Sequence, residues 1–170
     1  MSTGKQVLVV EDDAALSQSL TEQLRLHEDF ECVVANSGKE ALDLAKDSYF
    51  DVILLDVGLP DMDGRDVCKL MRRANVKSPI IMLTGANSDS DTILGLESGA
   101  NDYVTKPFRL NVLLARIRAH IRQHEQSEDA VFVIGPYSFQ PSAKILIETA
   151  TEKKVRLTEK ETSILKFLFR

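Results

Sequence analysis

A chain of 170 residues that is 44% hydrophobic and 28% charged has a globular composition, with room for one well-buried core and part of a second. No apolar run approaches the roughly 20 residues that a membrane helix needs, so the expectation is no membrane partner. The formal net charge of -5 argues against binding nucleic acid over the whole surface, because phosphate contact rests on clustered Lys and Arg.

The chain starts "MSTGKQVLVVEDD", passing directly into a strand and then into acids, without the basic start, long apolar stretch and cleavage site of a signal peptide. The expected compartment is the cytoplasm. Cys32 and Cys68 stand outside any metal or redox spacing and read as reduced packing residues. From the start to about Gln123, five short runs alternate with amphipathic segments. The runs are "QVLVV", "FECVV", "DVILL", "PIIML" and "DYVT"; the segments are "AALSQSLTEQLRLH", "SGKEALDLAKD", "GRDVCKLMRRA", "SDTILGLESG" and "LNVLLARIRAHIRQ". Continuous apolar strands joined by helical crossovers predict an α/β fold with a doubly wound, five-stranded parallel sheet and helices on both faces.

Residues 124–130, "HEQSEDA", are polar and aperiodic and predict a linker. A second module over 131–170 opens with short strands, "VFVIGPYSF" and "KILIETATEKKVRL", divided by turn residues, which predicts an antiparallel meander. Thr158 and Glu161 then form a capping box ahead of Ile164, Leu165 and Leu168, the apolar face of a helix. That apolar face, with nothing after it to cover it, gives the expectation that 131–170 is an incomplete domain.

In an open parallel sheet, ligands bind outside the carboxyl ends of the strands, at the switch in strand order. The first strand runs out into Glu11, Asp12 and Asp13, and the third into Asp56, so three or more carboxylates converge there. Like charges at such spacing repel unless a cation sits among them, and hard oxygens without His or Cys partners select Mg2+ or a similar ion. Asp13 also suits a helix N-cap. The fourth strand ends at the Thr84 hydroxyl, with small Gly85 and Ala86 leaving room beyond it, and the fifth leads to the Lys106 cation. A carboxylate nucleophile, a divalent ion, a hydroxyl and an ammonium are the parts of phosphoryl transfer to an aspartate, so Asp56 reads as the acceptor.

The strings "VVEDD", "DVILLDVGLPDMDG", "LTGA" and "GANDYVTKPF", in this order over residues 5 to 123, resemble the receiver domain of bacterial two-component response regulators. The resemblance implies a CheY/flavodoxin-like fold and a regulator rather than an enzyme. It implies phosphorylation of Asp56 by a sensor histidine kinase, with Mg2+ held by Glu11, Asp12, Asp56 and the Gly58 carbonyl. Thr84 and Lys106 would bind the phosphoryl oxygens, Tyr103 would be the aromatic switch that follows Thr84, and the bond before Pro107 would be cis. Gly58 and Ala86 stand where quickly hydrolysing members carry polar side chains, which implies a long-lived phosphoryl-aspartate.

Residues 131–170 are similar to the start of the winged-helix effector of the OmpR/PhoB subfamily, through "VRLTEKETSILKFL". This implies a transcription regulator whose dimerisation and DNA binding follow phosphorylation, with DNA bound by the full-length protein and not by this chain alone. It also implies a homodimer through the fourth helix, fifth strand and fifth helix, with Leu96 or Leu114 in its apolar centre and Asp102 and Arg116 in a cross-subunit ion pair. Asn101 and Val112 replace acids usual in that interface, which implies a weaker or differently arranged dimer.

Three rivals compete. A haloacid-dehalogenase-type phosphatase needs a second Asp two residues after Asp56, where this chain has Gly58. A flavodoxin-like flavin binder needs a phosphate cradle where this chain has "EDDAAL". The third is a receiver that acts only through protein contacts, with a degenerate or absent DNA-binding domain. His27, His120 and His124 read as solvated helix residues, and Arg116, Arg118 and Arg122 as a dimer or solvent face.

Overall fold

The computed structural model describes residues 4–28, 30–85 and 89–168. Five parallel strands form its first sheet: β1 (Gln6–Val10), β2 (Glu31–Ala35), β3 (Val52–Asp56), β4 (Ile80–Thr84) and β5 (Asp102–Thr105), in the order β2-β1-β3-β4-β5. The helices between and after them are α1 (Ala14–Glu28), α2 (Gly38–Asp47), α3 (Gly64–Arg73), α4 (Asp89–Glu97) and α5 (Leu110–Glu125). Strand β3 is buried along its whole length, as is β4. The continuous apolar runs of the sequence are therefore central strands covered on both faces.

Period-two alternation sorts each strand between two cores. Val7, Val9, Leu54 and Leu83 face a cluster with Leu20 and Leu24 of α1 and Leu113 and Ile117 of α5. Leu8, Val10, Ile53 and Leu55 face the other, with Ala41 of α2 and Val67 and Met71 of α3. The chain runs from β1 outward to β2 and then crosses back to β3, so the switch in strand order lies between β1 and β3. In register, Val10 pairs with Leu55 and Asp56 with Leu83, which brings Glu11 and Asp12 beside Asp56 at the carboxyl edge.

The chain divides into two compact units, one to Ile121 and one from Arg122. Helix α5 runs on to Glu125, past Gln123, after which the sequence predicts the linker to begin. Neither His124 nor Glu125 breaks a helix, and the turn comes where the Gln126 and Ser127 N–H groups donate to carbonyls three residues back.

The second unit is a four-stranded antiparallel sheet in sequential order, β6 (Phe132–Ile134), β7 (Tyr137–Gln140), β8 (Ile145–Glu148) and β9 (Lys153–Arg156), followed by α6 (Glu159–Leu168). This order is consistent with the beginning of a winged-helix domain. Phe139 is fully buried and its ring lies 6.2 Å from that of Phe132. The capping box forms as read: the Thr158 N–H donates to Glu161 Oε1 at 2.9 Å and the Glu161 N–H to Thr158 Oγ1 at 3.2 Å. Ile164 and Leu168 of the apolar face are 52% and 64% exposed.

Candidate functional site

The ends of β1, β3, β4 and β5 place polar groups on the carboxyl rim. The Glu11 N–H donates to the Ala35 carbonyl and so continues the β1–β2 ladder one residue beyond β1, which buries the Glu11 side chain. Asp13 caps α1: its Oδ1 accepts from the Leu16 N–H at 3.2 Å, while its own N–H donates to Glu11 Oε1 at 3.3 Å. Asp56 ends β3, with only 7% of its surface accessible, and Thr84 ends β4, also buried. One oxygen each of Glu11, Asp12 and Asp56 lie within 4.8 Å of one another. Three carboxylates without His or Cys suit a hard cation such as Mg2+.

The N–H of Lys106 donates to the Thr84 carbonyl, extending the β4–β5 ladder, and the Lys106–Pro107 peptide is cis. The Lys106 ammonium reaches Glu11 Oε2 at 3.0 Å and Asp56 Oδ1 at 3.4 Å. Burial pushes Glu11 above its ordinary range; the Lys106 hydrogen bond opposes this and the Asp56 charge adds to it. For Lys106, burial works downward, but the Glu11 hydrogen bond and the charges of Asp56 and Glu11 together hold it above the ordinary lysine value. The raised Lys106 value expresses the negative charge of Glu11 and Asp56 beside it, a charge that a bound divalent cation would offset.

Sequence reasoning passed over the groups that support this rim. Gly64, at the start of α3, lies so close to β3 that a Cβ there would stand 2.2 Å from the Asp56 carbonyl oxygen. Asp63 caps the same helix, accepting from the Arg65 N–H at 2.8 Å. Asp61 accepts from the N–H groups of Gly38 and Lys39 at 2.8 and 3.0 Å, which fastens the β3–α3 loop to the N-terminus of α2 and holds the Asp61 carboxyl below its usual range. The string "LPDMDG" contains all of these residues, but which acid caps which helix depends on α2, more than 20 residues away. Gly58 lies in this loop, bridged to Asp63, and the nearest atom to a Cβ built there is Asp56 Oδ2 at 4.0 Å. Ala86 falls outside the described residues.

Tyr103 is half-buried against the α2/α3 core, on the face that carries Met82 beside it in register. Two readings of the neighbouring surface need correction, those of Leu114 and His120. Leu114 is 6% exposed and sits in the α1/α5 core, because Leu113, Leu114, Ile117 and Ile121 form the inward stripe of α5; it is not available to an interface, whereas Leu96 is 44% exposed. Arg116 pairs with Asp102 of its own chain, through Nη1 at 2.8 and 3.0 Å from the two carboxylate oxygens. His120 is not a solvated helix residue: its Nε2 lies 2.9 Å from Asp102 Oδ2. Asn101 is likewise engaged within the chain, accepting from Arg72 Nη2 and the Ile80 N–H at 2.8 and 2.9 Å. Both cysteines are free, and burial raises the pKa of each thiol.

Among the described residues no helix is long and apolar enough to cross a membrane. Residues 7–118 match the model of the response regulator receiver domain. Over 162 residues, 95% of this chain and 68% of the relative, the sequence is 40% identical to the cell cycle response regulator CtrA of Brucella ovis; the CtrA of Brucella anthropi is 38% identical over the same span. Among solved structures, the Francisella response regulator 1452 receiver domain superposes with a TM-score of 0.68 at 34% identity, covering 71% of this chain and 98% of that one. The BeF3-activated N-terminal receiver domain of Klebsiella pneumoniae RstA superposes with a TM-score of 0.66 at 38% identity, covering 69% and 99%. With a sheet of the same topology and the acidic rim at its carboxyl edge, this chain belongs to the response regulator receiver domain family and carries the receiver of a two-component response regulator.

Proposed function

We propose that this chain is a receiver with the start of a winged-helix effector, from an OmpR/PhoB-subfamily transcription regulator phosphorylated on Asp56 by a sensor histidine kinase. The convergence of Glu11, Asp12 and Asp56 beside the Lys106 ammonium carries this reading. In the transfer, an Asp56 carboxylate oxygen forms a bond to phosphorus as the phosphorus–nitrogen bond of the donor phosphohistidine breaks, and the imidazole nitrogen keeps that bond's electron pair. Glu11, Asp12, Asp56 and the Gly58 carbonyl would hold Mg2+, which when bound neutralises charge on the phosphoryl oxygens. Lys106 places its ammonium 3.4 Å from the acceptor and adds a second positive charge for those oxygens, and the Thr84 hydroxyl donates to one of them. Once Asp56 is phosphorylated, Thr84 is drawn inward and Tyr103 follows, which reshapes the α4–β5–α5 face.

Residues 1–123, 124–130 and 131–170 are the receiver, the linker and the first part of the effector, with α5 continuing to Glu125. The exposed side chains of Ile93, Leu96 and Val112 support a homodimer through the α4–β5–α5 face. DNA binding belongs to the complete effector of the full-length regulator, in keeping with the similarity to a cell cycle response regulator. Among the described residues, a Cβ built on Gly58 meets only Asp56 Oδ2, at 4.0 Å, and glycine itself has no side chain to orient a hydrolytic water, which supports a long-lived phosphoryl-aspartate.

Intact mass after incubation with acetyl phosphate and Mg2+ tests the reading. The expected outcome is the gain of one phosphoryl group, absent in Asp56→Asn and absent without Mg2+. No gain in the unaltered chain would mean that the acidic rim is not a phosphorylation site.

A further inference from the structure

Helix α4 crosses over Tyr103 at Gly95. A Cβ built on Gly95 would stand 2.5 Å from Tyr103 Cδ2 and 2.6 Å from Cε2, closer than side chains approach one another. Glycine in a helix interior forfeits helical stability relative to alanine, and Gly95 is buried, so solvent gives no reason for the choice. The two observations have one explanation, that the ring occupies the volume a side chain would take.

We infer that Gly95 is a positioning residue for the Tyr103 switch: the bare backbone of α4 is the seat on which the Tyr103 ring rests. A methyl group at position 95 fills the seat. The Tyr103 side chain has two rotatable bonds and solvent beside it, so the ring yields before the backbone does and turns outward. The three atoms nearest to that Cβ position all belong to Tyr103, so the change acts on the ring and chemistry at Asp56 survives it. The inference rests on the proposed role of Tyr103 but makes a claim about the unphosphorylated chain as well. The conformer that α4 admits sets what phosphorylation can shift, because a signal acts only on states with different contacts.

The test uses fluorine NMR of the chain labelled with fluorotyrosine at Tyr49, Tyr103 and Tyr137, the three tyrosines, with Tyr103→Phe assigning the resonance. In Gly95→Ala the Tyr103 resonance is expected to move to a solvent-exposed position before any phosphorylation, and to lose its response to beryllofluoride and Mg2+. Phosphoryl uptake at Asp56, followed by mass, persists. The second measurement is urea unfolding of Gly95→Ala with Tyr103 intact and with Tyr103→Ala. The substitution is expected to destabilise the first and stabilise the second, because the helix gains propensity once the ring is gone. An unmoved Tyr103 resonance, or the same sign of stability change in both backgrounds, overturns the inference. If the unaltered chain takes up no phosphate, the functional proposal fails, while the ring position in unphosphorylated Gly95→Ala still decides the role of Gly95.

Discussion

Asp102 gathers three donors on one carboxylate: Arg116, His120 and the Tyr103 N–H at 2.8 Å. Burial alone would raise its pKa, but the hydrogen bonds from His120, Tyr103 and Arg116 outweigh it and hold the carboxyl below its usual range. A depressed carboxylate stabilises the fold above its unfolded-state pKa, and that stability is lost as pH falls through the folded-state value. Asp102→Asn is expected to cost about 1–3 kcal/mol near neutral pH, less any share from Arg116, whose side chain is half-exposed. The gap to the unaltered chain should close below about pH 4. Urea unfolding at neutral and acid pH measures it, and a gap that does not change with pH would remove the charge from the account. Asp56 and Glu11 were legible in the sequence because each directly follows or ends an apolar run. His120 was not, because its partner lies on β5, across a loop and nearly three helical turns.

At the scale of elements, the β3–α3 connection carries the acceptor. Strand β3 ends at Asp56, the chain folds back through a bridge between Gly58 and Asp63, and α3 starts against the Asp56 backbone. Gly64 permits that approach, since a Cβ would lie 2.2 Å from the Asp56 carbonyl oxygen and 2.8 Å from Val57 Cα. Both are backbone atoms with no rotamer to yield, unlike the Tyr103 ring over Gly95. Gly64→Ala is expected to destabilise by about 1–3 kcal/mol, in the range of overpacked sites, and to slow phosphoryl uptake from acetyl phosphate by displacing Asp56. A lower urea midpoint at unchanged slope, together with the slower uptake, is the outcome that supports this; unchanged uptake would show that α3 does not set the acceptor's position. The helices themselves were readable from periodicity, while their Ser37 and Asp63 caps came with the structure. Their packing distances were not, because closeness between backbones has no signature beyond a glycine.

At the scale of the molecule, the unit to Ile121 buries two cores, one on each face of the parallel sheet. Helix α5 supplies Leu113, Leu114, Ile117 and Ile121 to one of them. A chain ending at Glu125 is expected to unfold cooperatively in urea, and one ending at Arg109 to show no cooperative transition, since β1, β3 and β4 would expose their α1/α5 face. Circular dichroism along a urea series separates the two; a cooperative transition in the shorter chain would mean that α5 is dispensable to the core. The sequence by itself determined the order of βα units, the parallel sheet, the change of texture after α5 and the acids at the strand ends, because period, run length and residue type are local properties. Only the tertiary structure decided that Leu114 faces inward, that Asp102 is satisfied within its own chain, and that Gly64 and Gly95 stand under a carbonyl and a ring. Each of those depends on which distant element packs against the residue, and a one-dimensional pattern does not encode that neighbour.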